Sequence, residues 1–367
     1  MSCQTHPQRR GGLPWRGIAS GAALTGLLTL AAGCGVAGPH VVIDARAAAA
    51  HEAIQAAAGE GVLGYASPMK RPHKPARKPG GSVVSSRGAL FGGNDGLTQE
   101  EHALGRGLAI IRVYYHIGET FPVVSDRQHM AEGSTLLVSL DSDGPSYASI
   151  AAGREDSTIR AFLRAVNQAA FHYRLGAIYV SFEHEPDGPQ HAGLGSAAEF
   201  RRAWDHVHQL AAAAHLNWSD GGRLRWVLIL LHSSYASGAA SAYWPGSGEA
   251  DIVAVDGYDS FRCGNAQHDL QSPVALFSPA LRFAGAHGGL PVFISEWGSD
   301  SRDLDAQARF IRQMAAYVDA NGAIAATMYW DDGGDTCNYR INGHPASLAA
   351  LAAMGQSAAL QGSALAG

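Results

Sequence analysis

The segment IYVSFEHEPDG, residues 178–188, ends a run of β-forming side chains on Glu183, His184 and Glu185, and Pro186 follows at once. Two acids and an imidazole at a strand end are groups that take and give protons. A further acid, Glu296, closes PVFIS (291–295) and is followed by Trp297. Between them lies AVDGYDS, with Asp256 and Tyr258, and beyond them YWDDGG, with Trp330. Two carboxylates across a cleft are what glycoside hydrolysis requires: one protonates the leaving oxygen while the other attacks the anomeric carbon. Glu185 is the expected acid/base and Glu296 the expected nucleophile. His184 would tune its neighbour's charge and touch substrate, Asp256 would position rather than react, and the nearby aromatic rings would offer flat faces to sugars.

These residues need elements that bring them together. Eight β-rich runs punctuate the chain: ALFGG (89–93), LAIIRVYY (108–115), TLLVSL (135–140), AIYVSFE (177–183), LRWVLILL (224–231), DIVAV (251–255), PVFIS (291–295) and IAATMYW (324–330). Helical stretches lie between them. DSTIRAFLRAVNQAAFHYRLG opens on Asp156-Ser157, which suits an N-cap, and closes at Gly176. RDLDAQARFIRQMAAYVDANG repeats that logic, with Gly322 at its end. Eight strands alternating with helices over this length predict an α/β fold, a (β/α)8 barrel. The rival, a doubly wound open sheet, lacks its Gly-rich phosphate loop after the first strand. In a barrel the chemistry sits at the C-terminal strand ends, where the acids above stand.

The rest of the chain frames this body. With 367 residues, 46% apolar and 16% charged, the composition is globular, and a net charge of −5 gives no electrostatic case for nucleic acid. Arg9, Arg10 and Arg16 precede the apolar run GIASGAALTGLLTLAAGC, which fits a secretory signal over 1–34 and is too short and Gly-rich for a membrane span. LAAGC is similar to a bacterial lipoprotein processing site with Cys34 as the acylated residue. Ala31 departs from the usual pattern, and ordinary signal cleavage is the alternative. Residues 35–84 read as an Ala-rich and then Pro-rich, basic linker, and 85–360 as the catalytic domain. Cys3 falls in the signal, so Cys263 and Cys337 remain as one pair in an exported body, expected as a disulfide, with two unrelated thiols as the alternative.

FEHEP at the fourth strand, YWPGSGEADIVAVDGYDS into the sixth, FISEWGS at the seventh and MYWDD at the eighth together resemble glycoside hydrolase family 26 and the retaining barrels of clan A. EEHALGRGLAIIRVYYHIGETFP resembles the start of those domains, and the likeness spans about 85–356. It implies a retaining hydrolase of β-mannan, or otherwise of β-xylan or mixed-linkage β-glucan. The family's His-Glu pair falls on His184 and Glu185, its nucleophile on Glu296, and its Asp-x-Tyr on Asp256 and Tyr258, whose hydroxyl would bond the nucleophile. Two positions depart. The family often carries Arg four residues before the acid/base, where this chain has Ser181, and Trp about five after it, where this chain has Gln190. Both help build sugar subsites, so the substrate stays open.

Other residues carry blander readings. Glu183 reads as a structural ion pair or a residue outside the cleft. Arg112 could reach the nucleophile from the second strand or pair elsewhere. His116 and His232 could line the cleft, Trp226 reads as core, and Trp244 packs or stacks. The expected site is Glu185 and Glu296 with His184, Tyr258, Trp297, Trp330, Asp256 and His116 around the sugar. No cofactor or metal is expected, since the double displacement needs none. The expected partner is a polysaccharide, met by a monomer that reaches a membrane only through a lipid on Cys34. Two alternatives stand: a barrel that binds cell-surface polysaccharide without cutting it, and a metal-dependent hydrolase using His116, His184, Asp256 and Glu296. HEPDG lacks the second His of the zinc helix motif, and Pro186 prevents a helix there.

Overall fold

The computed structural model describes residues 88–261, 263, 270–300, 302–333 and 336–364. The expected signal, the expected acylation site Cys34 and the expected linker lie outside the described residues. Eight parallel strands close into a barrel in sequence order: β1 (Leu90–Asn94), β2 (Ile110–His116), β3 (Thr135–Asp141), β4 (Ile178–Phe182), β5 (Leu224–Leu231), β6 (Ile252–Asp259), β7 (Val292–Ser299) and β8 (Ile324–Tyr329), with β8 returning to β1. Each lies on one of the eight β-rich runs. This is a (β/α)8 barrel.

Alternation along the strands builds two apolar layers. Leu90, Ile110, Leu137, Tyr179, Ile229 and Phe293 fill the barrel interior. Phe182, Trp226 and Ile294 point outward, toward Phe162, Phe200, Trp204 and Phe310 of the surrounding helices. Trp226 is core, as its position in a strand suggests, and its indole N–H donates to Asn217 Oδ1 at 2.8 Å. No helix among the described residues is long and apolar enough to cross a membrane.

The helices follow their caps more than their apolar runs. Helix Ala197–Ala213 starts on Ser196, whose hydroxyl accepts from the Glu199 N–H while the Glu199 side chain accepts from the Ser196 N–H. Helix Asp156–His172 departs from expectation. Its N-cap position is Glu155, and Asp156 spends its carboxylate on Arg160 (2.9 Å) and His206 (2.6 Å). It also ends before Gly176, because Arg174 turns the chain at φ 57°.

Two strands run four residues further than their apolar stretches. β6 and β7 continue pairing through Asp256↔Glu296, Tyr258↔Gly298 and Asp259↔Ser299. The register changes between Val255↔Ile294 and Asp256↔Glu296, so Ser295 is an extra residue on β7. That bulge resets which side chains face the barrel axis from Glu296 onward.

Candidate active site

The β4 strand ends in a backbone turn that few sequences adopt. Glu183 and Glu185 have φ of 60° and 50°, left-handed for residues with a Cβ, at a cost of order 1–3 kcal/mol each. The surroundings hold the turn in place. Ser181 Oγ donates to the Glu183 carbonyl at 3.0 Å, the His184 N–H donates to Asp141 Oδ1 at 2.7 Å, and His191 Nδ1 bonds the Glu185 carbonyl at 2.9 Å. Asp187 accepts from the Leu231 N–H at 3.1 Å and ties the loop to the end of β5.

Arg112 organises the centre from β2. Its side chain is fully buried, donating to Ser139 Oγ at 2.7 Å and to His184 Nδ1 at 2.9 Å. Arginine has no acceptor, so His184 Nδ1 takes the hydrogen bond and Nε2 carries the proton. Burial lowers the imidazole's pKa well below its usual range, and Arg112 and His191 add to that. His184 is therefore neutral, and its Nε2–H lies between two carboxylates, 3.9 Å from Glu185 Oε2 and 3.5 Å from Glu296 Oε1.

Glu296 is gripped from both sides. Tyr114 donates its hydroxyl to Oε1, Tyr258 donates to Oε2 at 2.5 Å, and the Arg112 Nε stands 3.5 Å from Oε1. The bulge at Ser295 is what turns this carboxylate inward, and Ser295 itself donates to Asp256 Oδ1 at 2.5 Å. Burial pushes Glu296 up to about 7, while Arg112 pulls it down, and two phenolic donors also favour the ionised form.

Glu185 is pushed to about 7 by burial first, while the Gln190 amide, donating to Oε2 at 3.0 Å, draws it back. Asp256 is raised well above the carboxylate range by complete burial and by Glu185 nearby. A cavity of about 720 Å³ adjoins this cluster through Arg112, Tyr114 and Trp330, and extends over Asp95 and Glu119 beyond β1 and β2. Trp330 meets Tyr114 edge-on, with ring centroids 5.9 Å apart.

The barrel is similar to those of glycoside hydrolase family 26. A family 26 β-mannanase from Bacteroides ovatus superposes with a TM-score of 0.58 at 12% identity, over 76% of this chain and 91% of that one. A family 26 protein from a Muricauda species gives 0.56 at 13% identity, over 75% and 87%. A modular endo-β-1,4-mannanase from Cellulomonas fimi gives 0.52 at 15% identity, over 76% and 75%. No protein-family model matches the chain, and no curated protein matches it. At these identities the likeness to family 26 is one of fold.

The structure brings Glu185, Glu296, His184, Asp256 and Tyr258 together and sets Trp330 in the cavity wall. Trp297 corrects an expectation. It is fully buried on the helix side against Phe310 and Tyr329, because the bulge that turns Glu296 inward turns its neighbour outward. His116 stands at the rim with a side chain 49% exposed, 3.9 Å from Asp143 and apart from the carboxylate pair. Glu183 is 1% exposed and faces His191 Nε2 at 3.5 Å, with the Ser142 N–H donating to it at 2.9 Å. Trp244 packs on Phe283 and His287. Tyr114 and Asp187 were missed. Tyr114 had a signal, since it follows Arg112 by two residues and shares its inward face.

Among the described residues three groups of side chains stand close enough to hold a cation: His184 with Glu185 and Asp256, Asp141 with Glu183 and His191, and Asp300 with Cys263 and Cys337, whose sulfurs are bound to each other. The first includes two of the four ligands expected for a metal-dependent hydrolase, and His116 and Glu296 lie outside it. Cys263 and Cys337 form a disulfide between the loops after β6 and β8, with Cα atoms 4.5 Å apart. Tyr339, two residues on, stacks on Tyr258 at 4.7 Å. The bridged loop thus backs the ring that holds Glu296.

Proposed function

We propose that this chain is a retaining glycoside hydrolase that cleaves β-linked polysaccharide, β-mannan first and otherwise β-xylan or mixed-linkage β-glucan. One observation carries the reading. Two carboxylates from the ends of β4 and β7, the first half-buried and the second buried, face the same imidazole nitrogen, so both can reach one glycosidic bond. The neighbouring cavity and the family 26 likeness of the barrel favour a sugar polymer as the occupant.

The chemistry follows from the environments. Glu185, raised by burial, holds its proton near neutrality and gives it to the glycosidic oxygen as the bond to C1 breaks. Glu296, pre-oriented by Tyr114 and Tyr258, closes on C1 from the opposite face and forms a glycosyl ester. Glu185, now ionised, takes a proton from water, and that water cleaves the ester with net retention. Neutral His184 sits between both acids and presents its Nε2–H to substrate oxygens without adding a charge. The proposal extends to placement: an exported chain, lipid-anchored at Cys34, acting at the cell surface.

A hydrolysis screen on mannan, xylan, mixed-linkage glucan and cell-wall glycans identifies the polymer. Glu296→Ala should then abolish hydrolysis of every substrate by several powers of ten. Glu185→Ala should lose natural substrates but still be glycosylated by an activated aryl glycoside, with azide restoring turnover as a glycosyl azide of retained configuration. Equal loss on both substrate types without rescue, or an inverted azide product, would overturn these roles.

A further inference from the structure

Behind the proposed acid/base lies a second cluster that the chemistry above does not use. Asp141 at the end of β3, Glu183 at the turn after β4 and His191 five residues beyond Pro186 each offer one ligand atom, and these atoms lie within 4.8 Å of one another. Glu183 is 1% exposed, and its Oε2 has no hydrogen-bond partner although Oε1 accepts from the Ser142 N–H. Leaving a carboxylate oxygen buried and unpartnered is expensive.

The tautomer of His191 sharpens the problem. The Glu185 carbonyl can only accept, so His191 Nδ1 must donate to it at 2.9 Å. In the neutral ring Nε2 then carries a lone pair, and that lone pair stands 3.5 Å from Glu183 Oε2. Two electron-rich atoms face each other and need a cation between them. A proton would draw them to the 2.7–2.9 Å of a charge-assisted hydrogen bond, at about that length. A metal ion suits the observed spacing better: two ligands of a tetrahedral centre with bonds of about 2.1 Å stand about 3.4 Å apart. A metal-binding imidazole also characteristically donates its other N–H to a backbone carbonyl, as His191 does.

We propose that Asp141, Glu183 and His191 form a binding site for one divalent transition-metal ion of the zinc or manganese class. One imidazole with two carboxylates matches the ligand preference of those ions, whereas calcium takes six to eight oxygens. The ion is a structural clamp. Glu183 and His191 flank the left-handed turn that aims Glu185, and His191 grips the carbonyl of Glu185 itself. Its closure also offsets the burial of Glu183 and supports the strained turn.

The test is binding, read without activity, so it stands apart from the glycosidase reading. The full-length chain is stripped with a chelator, and ZnCl2 and MnCl2 are titrated in by calorimetry, with CaCl2 as the control. One equivalent of Zn2+ or Mn2+ should bind and raise Tm. Glu183→Gln and His191→Ala should each weaken binding at least about tenfold, and Asp256→Asn, in the neighbouring cluster, should not. Crystals of the wild-type chain soaked in ZnCl2 should give an anomalous peak among the three side chains. The peak decides the matter if a variant fails to fold, as judged by circular dichroism. No saturable binding, wild-type affinity in both Glu183→Gln and His191→Ala, loss only in Asp256→Asn, or a peak elsewhere would each overturn the proposal.

Discussion

Removing one hydroxyl, that of Tyr258, should move the acidic limb of the pH profile and do little else. The ring stacks on Tyr339 at 4.7 Å, and Phe keeps that contact, so Tyr258→Phe subtracts only the hydrogen bond to Glu296 Oε2. Oε1 keeps Tyr114 and the nearby Arg112. A hydrogen bond to an ionised group contributes about 1.5–3 kcal/mol. That is spent on the carboxylate form, and 1.36 kcal/mol corresponds to one pKa unit, so losing it should raise the Glu296 pKa by about 1–2 units. The nucleophile must be ionised to attack. The acidic limb of kcat/KM, set by this group in the free enzyme, should therefore move up by about 1–2 pH units. Below the original limb the variant should be about 10–100 times slower than wild type, and the gap should narrow as pH rises. The assay is kcat/KM on an oligosaccharide of the identified polymer across the pH range, with Tyr114→Phe in parallel. A limb that stays in place in Tyr258→Phe, or moves down, would refute the assignment of Glu296 as the ionised nucleophile held by this phenol.

Glu296→Gln should trade activity for stability in alkaline solution. The wild-type carboxyl is raised from 4.5 to about 7 in the folded chain, so its contribution is fully present below pH 4.5 and lost as pH rises through 7, up to about 3 kcal/mol. Urea unfolding at pH 5 and pH 8 should show the variant gaining on wild type at the higher pH, and an equal difference at both would contradict the burial argument. The Cys263–Cys337 bridge closes a loop with a sequence separation of 74, which corresponds to about 4 kcal/mol of lost chain entropy in the unfolded state. The Cys263→Ser/Cys337→Ser double variant should melt lower, and kcat should fall with it because Tyr339 no longer backs Tyr258 firmly. Unchanged kcat in a folded double variant would disconnect the bridge from the site.

Much of this molecule was legible before any coordinates, and the illegible part has a physical cause. Eight apolar runs of strand length mark eight strands, because barrel strands are buried on both faces and read as continuous hydrophobic stretches. The same property hid where β6 and β7 stop. Their final residues are Asp256, Tyr258, Asp259 and Ser299, polar groups that the ladder carries into the site. The side chains that follow Ile294 depended on a single extra residue. Strict alternation from inward Phe293 puts Ser295 and Trp297 inside and Glu296 outside. The bulge reverses the last two, since a slip of one residue exchanges the faces of a strand. Nothing in ISEWGS announces the bulge, so the inward place of Glu296 followed from residue type alone and the place of Trp297 came out wrong. Glu183 keeps its structural reading: its left-handed φ takes it out of the strand's alternation and sets it against His191 rather than in the carboxylate pair.

The charge balance of the site constrains the order of events in the proposed reaction. Glu185, Asp256 and Glu296 crowd around His184, which is held neutral, and Arg112 is the cation whose charge acts on all three. Three ionised carboxylates against one guanidinium in a buried space is unfavourable, so the site retains protons near neutrality. Asp256 has no donor on Oδ2 and a pKa raised well above the usual range, which makes it a holder of one proton. Glu185 and Glu296 then divide the remaining proton by their partners. Burial raises both to about 7, but Glu296 has two phenols and Arg112 to stabilise a charge, whereas Glu185 has the Gln190 amide. The first step therefore starts with the proton on Glu185, where the leaving group needs it. Once Glu296 becomes a neutral ester, one negative charge leaves the cluster, and Arg112 is free to stabilise the Glu185 carboxylate that the first step has produced. The same residue is thereby an acid before the ester forms and a base after it, without any rearrangement of the barrel.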